Sequence, residues 1–406
     1  MAVLSGLLSS STANSVDLVG EWQESILVRN AKGMGVGATL FGLMSRLKAE
    51  PADNTFYNWF ERPPLLRQFV STATSTSGST TITLQDGSGN SIYNYLANGA
   101  ILQNTRTSEF VITSGDPTTD AFTVVRGFGG STAAAVNVND LWVLISIAKD
   151  EGAVPTRALW ADPTNLVNYI QTFNSSVNLT NAYKGQVLRT DLQGPLREHR
   201  IQALERITKD IELQLFFGKK SQSSGTNGYI YSTGGVVDSI NTAGLTSNVL
   251  NGLGTVGVDY DTVSAWLTTF MTYGSESKLA FCGPTAYQAF STYALNRVGF
   301  QLRNTETVMG IAIQELLTPF GVLSLCMHPL FTEISYYNNW CVVVDLAQIV
   351  QKTYEPLFLE PNVQTPGTDS YVEQYRAKLG LKMKFSQAHG YAYNLSRILQ
   401  PTTVIA

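Results

Sequence analysis

The sequence contains few charged residues and little else that points to catalysis or nucleic-acid binding. Asp, Glu, Lys and Arg make up 14% of its 406 residues, against about 25% in ordinary soluble proteins. A monomer with so few surface charges is poorly protected from association. We therefore expect that much of its surface is buried against other chains, or that the protein has a large core. The net charge of −4 leaves no basic excess and argues against tight nucleic-acid binding.

Cysteine and long apolar runs are scarce too. Cys282, Cys326 and Cys341 are an odd number without close spacing, which predicts buried thiols in a reducing compartment rather than disulfides or a zinc site. No run approaches the length that spans a membrane, and the N-terminus lacks the charged and apolar regions of a secretory signal. We therefore expect no membrane partner, and synthesis and assembly in the cytoplasm.

The residues that usually carry chemistry are few and scattered. His199, His328 and His389 show no metal-ligand spacing, and neither a GxSxG elbow nor a GxxxxGK[ST] loop occurs. Asp345 follows a predicted strand, where a catalytic carboxylate can sit, but such residues more often cap or turn the chain and no partner base is evident. We expect no enzyme, no catalytic residue, no metal and no cofactor.

A weak nucleotide-binding pattern occurs near the N-terminus. Gly33, Gly35 and Ala38 fit G-x-G-x-x-A, and Glu50 and Asp53 follow at roughly the expected distance. A dinucleotide site needs a strand running directly into the first glycine, and here four polar or small residues intervene. The pattern is better explained by an extended arm with one short amphipathic helix.

The strongest local signal is a long helix over Thr190–Lys220. Asp191 suits its N-cap, Pro195 its first turn and Gly218 its end. Twenty-odd residues give a rod of roughly 33 Å. Apolar residues recur at spacings of three to five and form one stripe: Leu196, Ile201, Leu204, Ile207, Ile211 and Leu215. We expect four of them to face the core of the subunit: Leu204, Ile207, Ile211 and Leu215. Charged residues fall largely elsewhere: Glu198, Arg206, Lys209 and Glu212.

An aromatic segment at Asn54–Pro64 lies before the part of the sequence that is rich in Ser, Thr and Gly. Two prolines at its end predict an irregular or edge segment. Its members belong either to a local core or to a contact with another chain, where aromatics are enriched. The candidate contact residues are Phe56, Tyr57, Trp59, Phe60, Glu61 and Arg62.

Residues 72–147 then show short apolar alternations separated by Gly, Asn and Asp. They predict a small all-β module inserted into a larger fold, either a structural decoration or a ligand-binding unit.

The C-terminal half predicts one α/β domain and a long strand. Helical patterns over VDYDTVSAWLTTFMTYG and PTAYQAFSTYALNRVG flank the buried strand KLAFCG. Two strands surround a Pro-Phe-Gly turn, and WCVVVDLAQIVQKTY predicts another. The tail alternates apolar residues at period two from Tyr375 to Phe385, which predicts a half-buried strand paired near the long helix.

The order of these parts resembles the major capsid proteins of tailed double-stranded DNA bacteriophages, with the HK97-like fold. The residues that carry the resemblance are the helix Leu196 to Phe217 and five stretches: AFTVVRGFGGSTAAAVNVNDLWVLI, GIAIQELLTPFGVLSL, WCVVVDLAQIV, EPLFLEP and RAKLGLKMKFSQAHGYAYNL. The resemblance implies an α+β fold divided as follows: an N-terminal arm, 1–50; an extended E-loop, 51–189, with the β-domain at about 72–147; a peripheral domain, 190–254, with the spine helix at 190–220; an axial domain, 255–345; and a return to the peripheral domain with the tail, 346–406.

The resemblance implies a structural protein that self-assembles into hexamers and pentamers of an icosahedral shell around double-stranded DNA. Its partners would be copies of itself, a portal, scaffolding or decoration proteins, and weakly contacted DNA. Its location would be the virion, after assembly in the host cytoplasm. The alternatives are an encapsulin-like nanocompartment shell and a phage tail or baseplate protein with a glycan-binding β module.

Overall fold

The computed structural model describes residues 49–62, 65–87, 91–155, 157–159, 163–186, 195–254, 256–295, 302–304 and 313–399. Within them the α-helices are α1 Asn181–Lys184, α2 Pro195–Phe217, α3 Val236–Thr242, α4 Tyr260–Met271, α5 Pro284–Leu295 and α6 Pro329–Glu333. The strands are β1 Ala49–Pro51, β2 Phe56–Glu61, β3 Gln68–Ser71, β4 Thr81–Gln85, β5 Ala100–Asn104, β6 Phe110–Thr113, β7 Ala121–Val125, β8 Leu141–Ile147, β9 Thr164–Tyr169, β10 Gln171–Thr180, β11 Ser221–Gly225, β12 Gly228–Ser232, β13 Val249–Gly254, β14 Val258–Asp259, β15 Ser277–Cys282, β16 Leu302–Asn304, β17 Ile313–Thr318, β18 Gly321–Met327, β19 Cys341–Val344, β20 Ile349–Glu360, β21 Ser370–Met383, β22 Gly390–Leu395 and β23 Ile398–Leu399.

The chain divides into two compact units: Asn58–Leu166, and Met1–Tyr57 with Val167–Ala406. The inserted unit contains a closed barrel of strand order β3-β4-β7-β6-β5-β8. Its alternating strands bury Phe69, Trp142 and their neighbours in one core, because successive side chains of a strand point to opposite faces. The predicted all-β module is therefore present, and its first barrel strand begins at Gln68, before the predicted boundary at Thr72.

A buried ion pair ties one side of this barrel together. Arg126 donates to both carboxylate oxygens of Glu109 at 2.7 Å, and both side chains are almost fully buried. Burial alone would raise the pKa of the Glu109 carboxyl, but Arg126 and the backbone amides of Ala134 and Gly127 outweigh it and lower that pKa. A bidentate pair of this kind fixes geometry as well as charge.

In the larger unit, α2 packs on a four-stranded sheet of order β1-β20-β21-β10. Strands β10 and β21 pair antiparallel over ten residues, from Gln171↔Leu379 to Thr180↔Ser370. One face of β21 presents Ala377, Leu379, Leu381 and Met383 to the helix, which confirms the predicted half-buried strand near the long helix.

A seven-stranded sheet of order β13-β22-β19-β15-β18-β17-β16 forms the other layer of this unit. Leu279 and Phe281 of β15 join the core beneath α2, whereas Ala280 and Cys282 join a second core with α4 and α5. Both faces are buried, which explains why Leu279–Cys282 are continuously apolar. The predicted helices α4 and α5 and the hairpin β17–β18 are confirmed.

Three details differ from the sequence predictions. WCVVVDLAQIVQKTY contains two strands, β19 and β20, separated by a turn at Asp345. The stretch Lys219–Gly235, whose Gly, Ser and Asn residues predict a loop, contains the hairpin β11–β12. Strands β13 and β22 extend the seven-stranded sheet beyond the segment 255–345. The predicted arm as far as Lys48, with its G-x-G-x-x-A pattern, and the N-cap Asp191 lie outside the described residues.

Helix α2 begins at Pro195 and ends at Phe217, close to the predicted bounds, but its buried face is only partly the predicted one. Ile207, Ile211 and Leu215 are buried, whereas Leu204 is 39% exposed and does not belong to the core face. Residues four apart turn by about 40° around a helix. The buried row Ala203, Ile207, Ile211, Leu215 therefore winds around the axis, and Leu204, about 100° from Ala203, projects beside it.

The helix also buries a charge that the sequence placed on its polar side. The Glu212 carboxylate lies 2.9 Å from Nε2 of His328, and both side chains are fully buried. Phe216, one turn further, packs its ring against Phe281, His328 and Phe331. The C-terminal half of α2 is thus inserted between the two sheets, with Ile211, Glu212, Leu215 and Phe216 buried.

We expect Ile207→Asp to prevent folding, because it places a carboxylate without a partner in the core at a cost of several kcal/mol. Lys209→Ala removes only the surface pair between Lys209 and Glu333, at 2.9 Å, and should cost about 1 kcal/mol or less. Circular dichroism during thermal unfolding compares the two variants. A cooperative, wild-type transition for Ile207→Asp would contradict the assigned core face.

Candidate functional site

The described residues offer little catalytic chemistry. Among them, no three His, Cys, Asp or Glu side chains lie close enough to hold one metal ion. The three cysteines are buried free thiols, as predicted. Cys282 Sγ lies 3.3 Å from Cys341 Sγ across β15 and β19, and burial raises the pKa of the Cys282 thiol. A buried, protonated thiol is a poor nucleophile and a poor metal ligand.

Asp345 is the position where the sequence offered a catalytic carboxylate. Its buried carboxylate accepts hydrogen bonds from the backbone amides of Ser275, at 2.8 Å, and Ala347, at 2.9 Å. Lys278 Nζ lies 3.8 Å away. Burial alone would raise the pKa of this carboxyl, but the two amides and the ammonium outweigh it and the pKa is lowered. Asp345 therefore closes the turn between β19 and β20, as the alternative interpretation expected.

His389 and Lys278 complete a buried polar cluster around this carboxylate. His389 Nδ1 accepts a hydrogen bond from the Asp345 amide at 3.1 Å, and Lys278 Nζ donates to the carbonyls of Tyr273, at 2.7 Å, and Ala388, at 2.9 Å. Burial lowers the pKa of His389 to about 4, so the ring is neutral at neutral pH. The cluster connects three segments that are distant in the sequence, 273–278, 345 and 388–389, and therefore stabilises the fold.

The aromatic segment forms strand β2, which pairs with β9. Tyr57 is buried and its hydroxyl donates to the Leu381 carbonyl at 2.7 Å. A Cβ at Gly380 would lie 2.7 Å from that hydroxyl, so only glycine fits beneath the ring. Tyr57 is therefore an internal anchor, and its assignment as an inter-subunit contact is wrong. Phe56 and Phe60, on the opposite face, are 48% and 66% exposed.

The other members of that segment lie near the strand's end. Trp59 Nε1 donates to Glu61 Oε1 at 2.9 Å, and the Arg62 side chain is exposed. Period-two alternation within β2 thus explains why one aromatic side chain enters the core while its neighbours stay outside. The sequence could not assign the faces, because the residue that Tyr57 contacts lies more than 300 positions away.

One face of the four-stranded sheet carries a set of paired, partly exposed charges. Glu355 pairs with Lys378 at 2.9 Å and with Arg376 at 3.3 Å, and Arg376 also lies 3.2 Å from Glu360. Glu50 pairs with Lys352 at 2.8 Å. The acids neutralise the cations along this face, so it forms an ion-pair network rather than a basic track for a nucleic acid.

Within the described residues, no helix is long and apolar enough to cross a membrane.

Lowering the pH should destabilise the fold through His389. The folded-state pKa of about 4 lies below the ordinary 6.5, so the unfolded chain binds the extra proton between these values. Stability is therefore lost as pH falls from 6.5 toward 4, by about 3 kcal/mol at most. Thermal unfolding across this range should show a steeper loss for the wild type than for His389→Gln. Equal slopes would contradict this assignment.

Comparison with known proteins places these features in a family. The model of the SU10 major capsid protein family matches residues 36–396. The major capsid protein of Pseudomonas phage PaMx41 is 22% identical over 358 residues, which cover 86% of this chain and 82% of that protein.

Solved structures show weaker likeness. A chain from Mycobacterium phage Cain has a TM-score of 0.46 and 9% identity, over 98% of this chain and 99% of that one. The SrpI encapsulin of Synechococcus elongatus has a TM-score of 0.41 and 12% identity, over 60% of this chain and 81% of that one. Because the family match covers most of the sequence, the chain belongs to the SU10 major capsid protein family and is a shell-forming protein of a bacteriophage.

Proposed function

We propose that this chain assembles with copies of itself into hexamers and pentamers of an icosahedral, HK97-like shell that encloses double-stranded DNA. The family match over residues 36–396 is the observation that carries the proposal. It favours a phage capsid over an encapsulin-like compartment and over a tail or baseplate protein. The subunit has a structural role and no catalytic one, and its location is the virion.

Within that shell the segments take different roles. Residues 1–50 act as the arm that reaches neighbours, and 51–189 form an E-loop enlarged by the barrel. Helix α2 is the spine of a peripheral domain that 346–406 completes, and 255–345 form the axial domain. Two observations support this division: the barrel is inserted in the chain as a separate unit, and α2 packs on the four-stranded sheet.

The contacts between subunits include the exposed side of β2. Phe56 and Phe60 present aromatic surface that a monomer would leave in water, and Trp59, Glu61 and Arg62 border it. Aromatic side chains with arginine at the margin are typical of protein interfaces. Low overall charge supports the same conclusion, because a subunit surrounded by copies keeps little surface for solvent.

The remaining partners follow from the same role. The shell contacts packaged DNA weakly, since the chain is slightly acidic and its exposed cations on the four-stranded sheet are paired. A portal, and scaffolding or decoration proteins, complete the particle. Assembly takes place in the host cytoplasm, where the three cysteines stay reduced.

Expression of this chain alone, followed by electron microscopy of the purified product, tests the proposal. We expect closed shells or capsomer rings under conditions that favour association, such as high salt and a crowding polymer, because burial of apolar surface drives assembly. A product that stays strictly monomeric under all such conditions would overturn the proposed self-assembly.

Phe60→Ser tests the contact surface of β2. The side chain is 66% exposed, so the subunit should unfold within roughly 3 °C of the wild-type midpoint. Loss of an aromatic anchor at an interface should weaken association by about 1–2 kcal/mol per contact, and light scattering should show slower and less complete assembly. Thr272→Ser, an exposed change after the end of α4 that keeps the hydroxyl donating to the Thr268 carbonyl, is the control. Wild-type assembly of Phe60→Ser would remove this strand from the interface.

A further inference from the structure

The four-stranded sheet leaves one of its edges open. Strand β10 is the outermost strand beside β21, and among the residues that the structure describes no strand pairs with its other side. The open edge runs for ten residues, Gln171–Thr180, without a register shift. An unpaired row of backbone N–H and C=O groups of this length is a ready template for another strand.

Hydrogen-bond alternation identifies which backbone groups of β10 point away from β21. The Lys384 amide donates to the Gln348 carbonyl at 2.9 Å, so even-numbered residues of β21 point to β20. Odd-numbered residues of β21 therefore point to β10, where their partners are also odd, as in Ser175↔Tyr375. The even-numbered residues of β10 direct their amides and carbonyls away from the sheet: Thr172, Asn174, Ser176, Asn178 and Thr180.

The opposite side of the same sheet is protected against such pairing. Strand β1 covers β20 only at Gln351–Thr353. Beyond it, β20 contains Pro356, the charged residues Glu355 and Glu360, and two register shifts. Proline, charge and irregular register are the devices that natural sheets use to block edge pairing. Strand β10, with the sequence QTFNSSVNLT, has none of these devices.

A groove lies along the first part of the open edge. Four consecutive residues of β10, 171–174, form one wall, and the C-terminal half of α2 forms the other through Leu213, Gln214 and Phe217. Its volume is about 490 Å³. Side chains from both faces of the strand line it, so the groove opens at the edge of the sheet. It offers apolar contacts to the side chains of an added strand.

We infer that this edge receives an extended segment of a second copy of the chain by β-augmentation, in which main-chain hydrogen bonds supply affinity and the groove supplies selectivity. The inference rests on the proposed self-assembly and specifies where copies join. A second copy is the occupant because a capsid subunit is surrounded by its own kind. Each added hydrogen bond contributes little net free energy, because it replaces a hydrogen bond to water, which suits a contact that must form and correct itself during assembly.

Hydrogen exchange at single-residue resolution tests the inference on the full chain, free and assembled. The amides of Asn174, Ser176 and Asn178 should exchange rapidly in the free subunit and at least about tenfold more slowly in shells formed from this chain alone. The amides of Ser175 and Val177, bonded to β21, should be slow in both states and serve as internal controls. Shells in which the even-numbered amides stay fast overturn the inference and leave the proposed function standing.

Two further outcomes are decisive. Protection that appears only after another protein is added would show that the occupant is a different chain, and the second copy would be the wrong partner. Absence of any self-association would overturn both the inference and the proposed function.

Ser176→Pro provides the matched perturbation. It removes an amide that points away from β21 and, in the part of the chain that the structure describes, meets no further strand. The thermal midpoint should therefore stay within roughly 5 °C of wild type, while assembly yield should fall by at least about tenfold. Ser176→Ala keeps the amide and should assemble normally. Normal assembly of a folded Ser176→Pro subunit counts against the inference; if this variant fails to fold, the exchange measurement on the wild type decides.

Discussion

The insertion of one helix end between two sheets holds the larger unit together. At the C-terminal half of α2, Glu212 meets His328 at 2.9 Å, and the Phe216 ring contacts three aromatic side chains from the seven-stranded sheet and the chain that follows it. Ile211 and Leu215 face the four-stranded sheet in the same core. Because a core of native density tolerates few voids, the positions of both sheets are fixed by this single helix.

Several of the few charges in the sequence are used inside the subunit. Glu109 with Arg126, Glu373 with Arg200, and Asp345 with Lys278 each place a buried carboxylate against a cation. Such pairs are costly to desolvate and stabilise less than their geometry suggests, but breaking one leaves an uncompensated charge. They therefore favour one arrangement of the chain over its competitors. The charge left for the surface is smaller than the composition indicates, as suits a subunit that is covered by copies of itself.

The two edges of the four-stranded sheet have opposite characters. One carries proline, acids and register shifts, and the other is a regular, uncharged strand of ten residues. A protein that must polymerise into a closed shell needs contacts that are strong in one direction and blocked in others, because unrestricted edge pairing leads to aggregation. In our proposal, this asymmetry separates directed assembly from aggregation.

The sequence by itself determined the local elements. Proline at the first turn and glycine after the last bounded α2, and period-two alternation identified β21 and the strands of the barrel. The fold class and the capsid resemblance followed from the order of these parts. Tertiary structure alone decided which faces are buried. Tyr57 is an internal anchor because Leu381 and Gly380 lie beside it. Glu212 is buried because His328 lies next to it. Leu204 stays outside the core because the buried row winds around the helix. Periodicity reports the preference of a segment for its own neighbours, whereas burial depends on partners that lie far away in the chain.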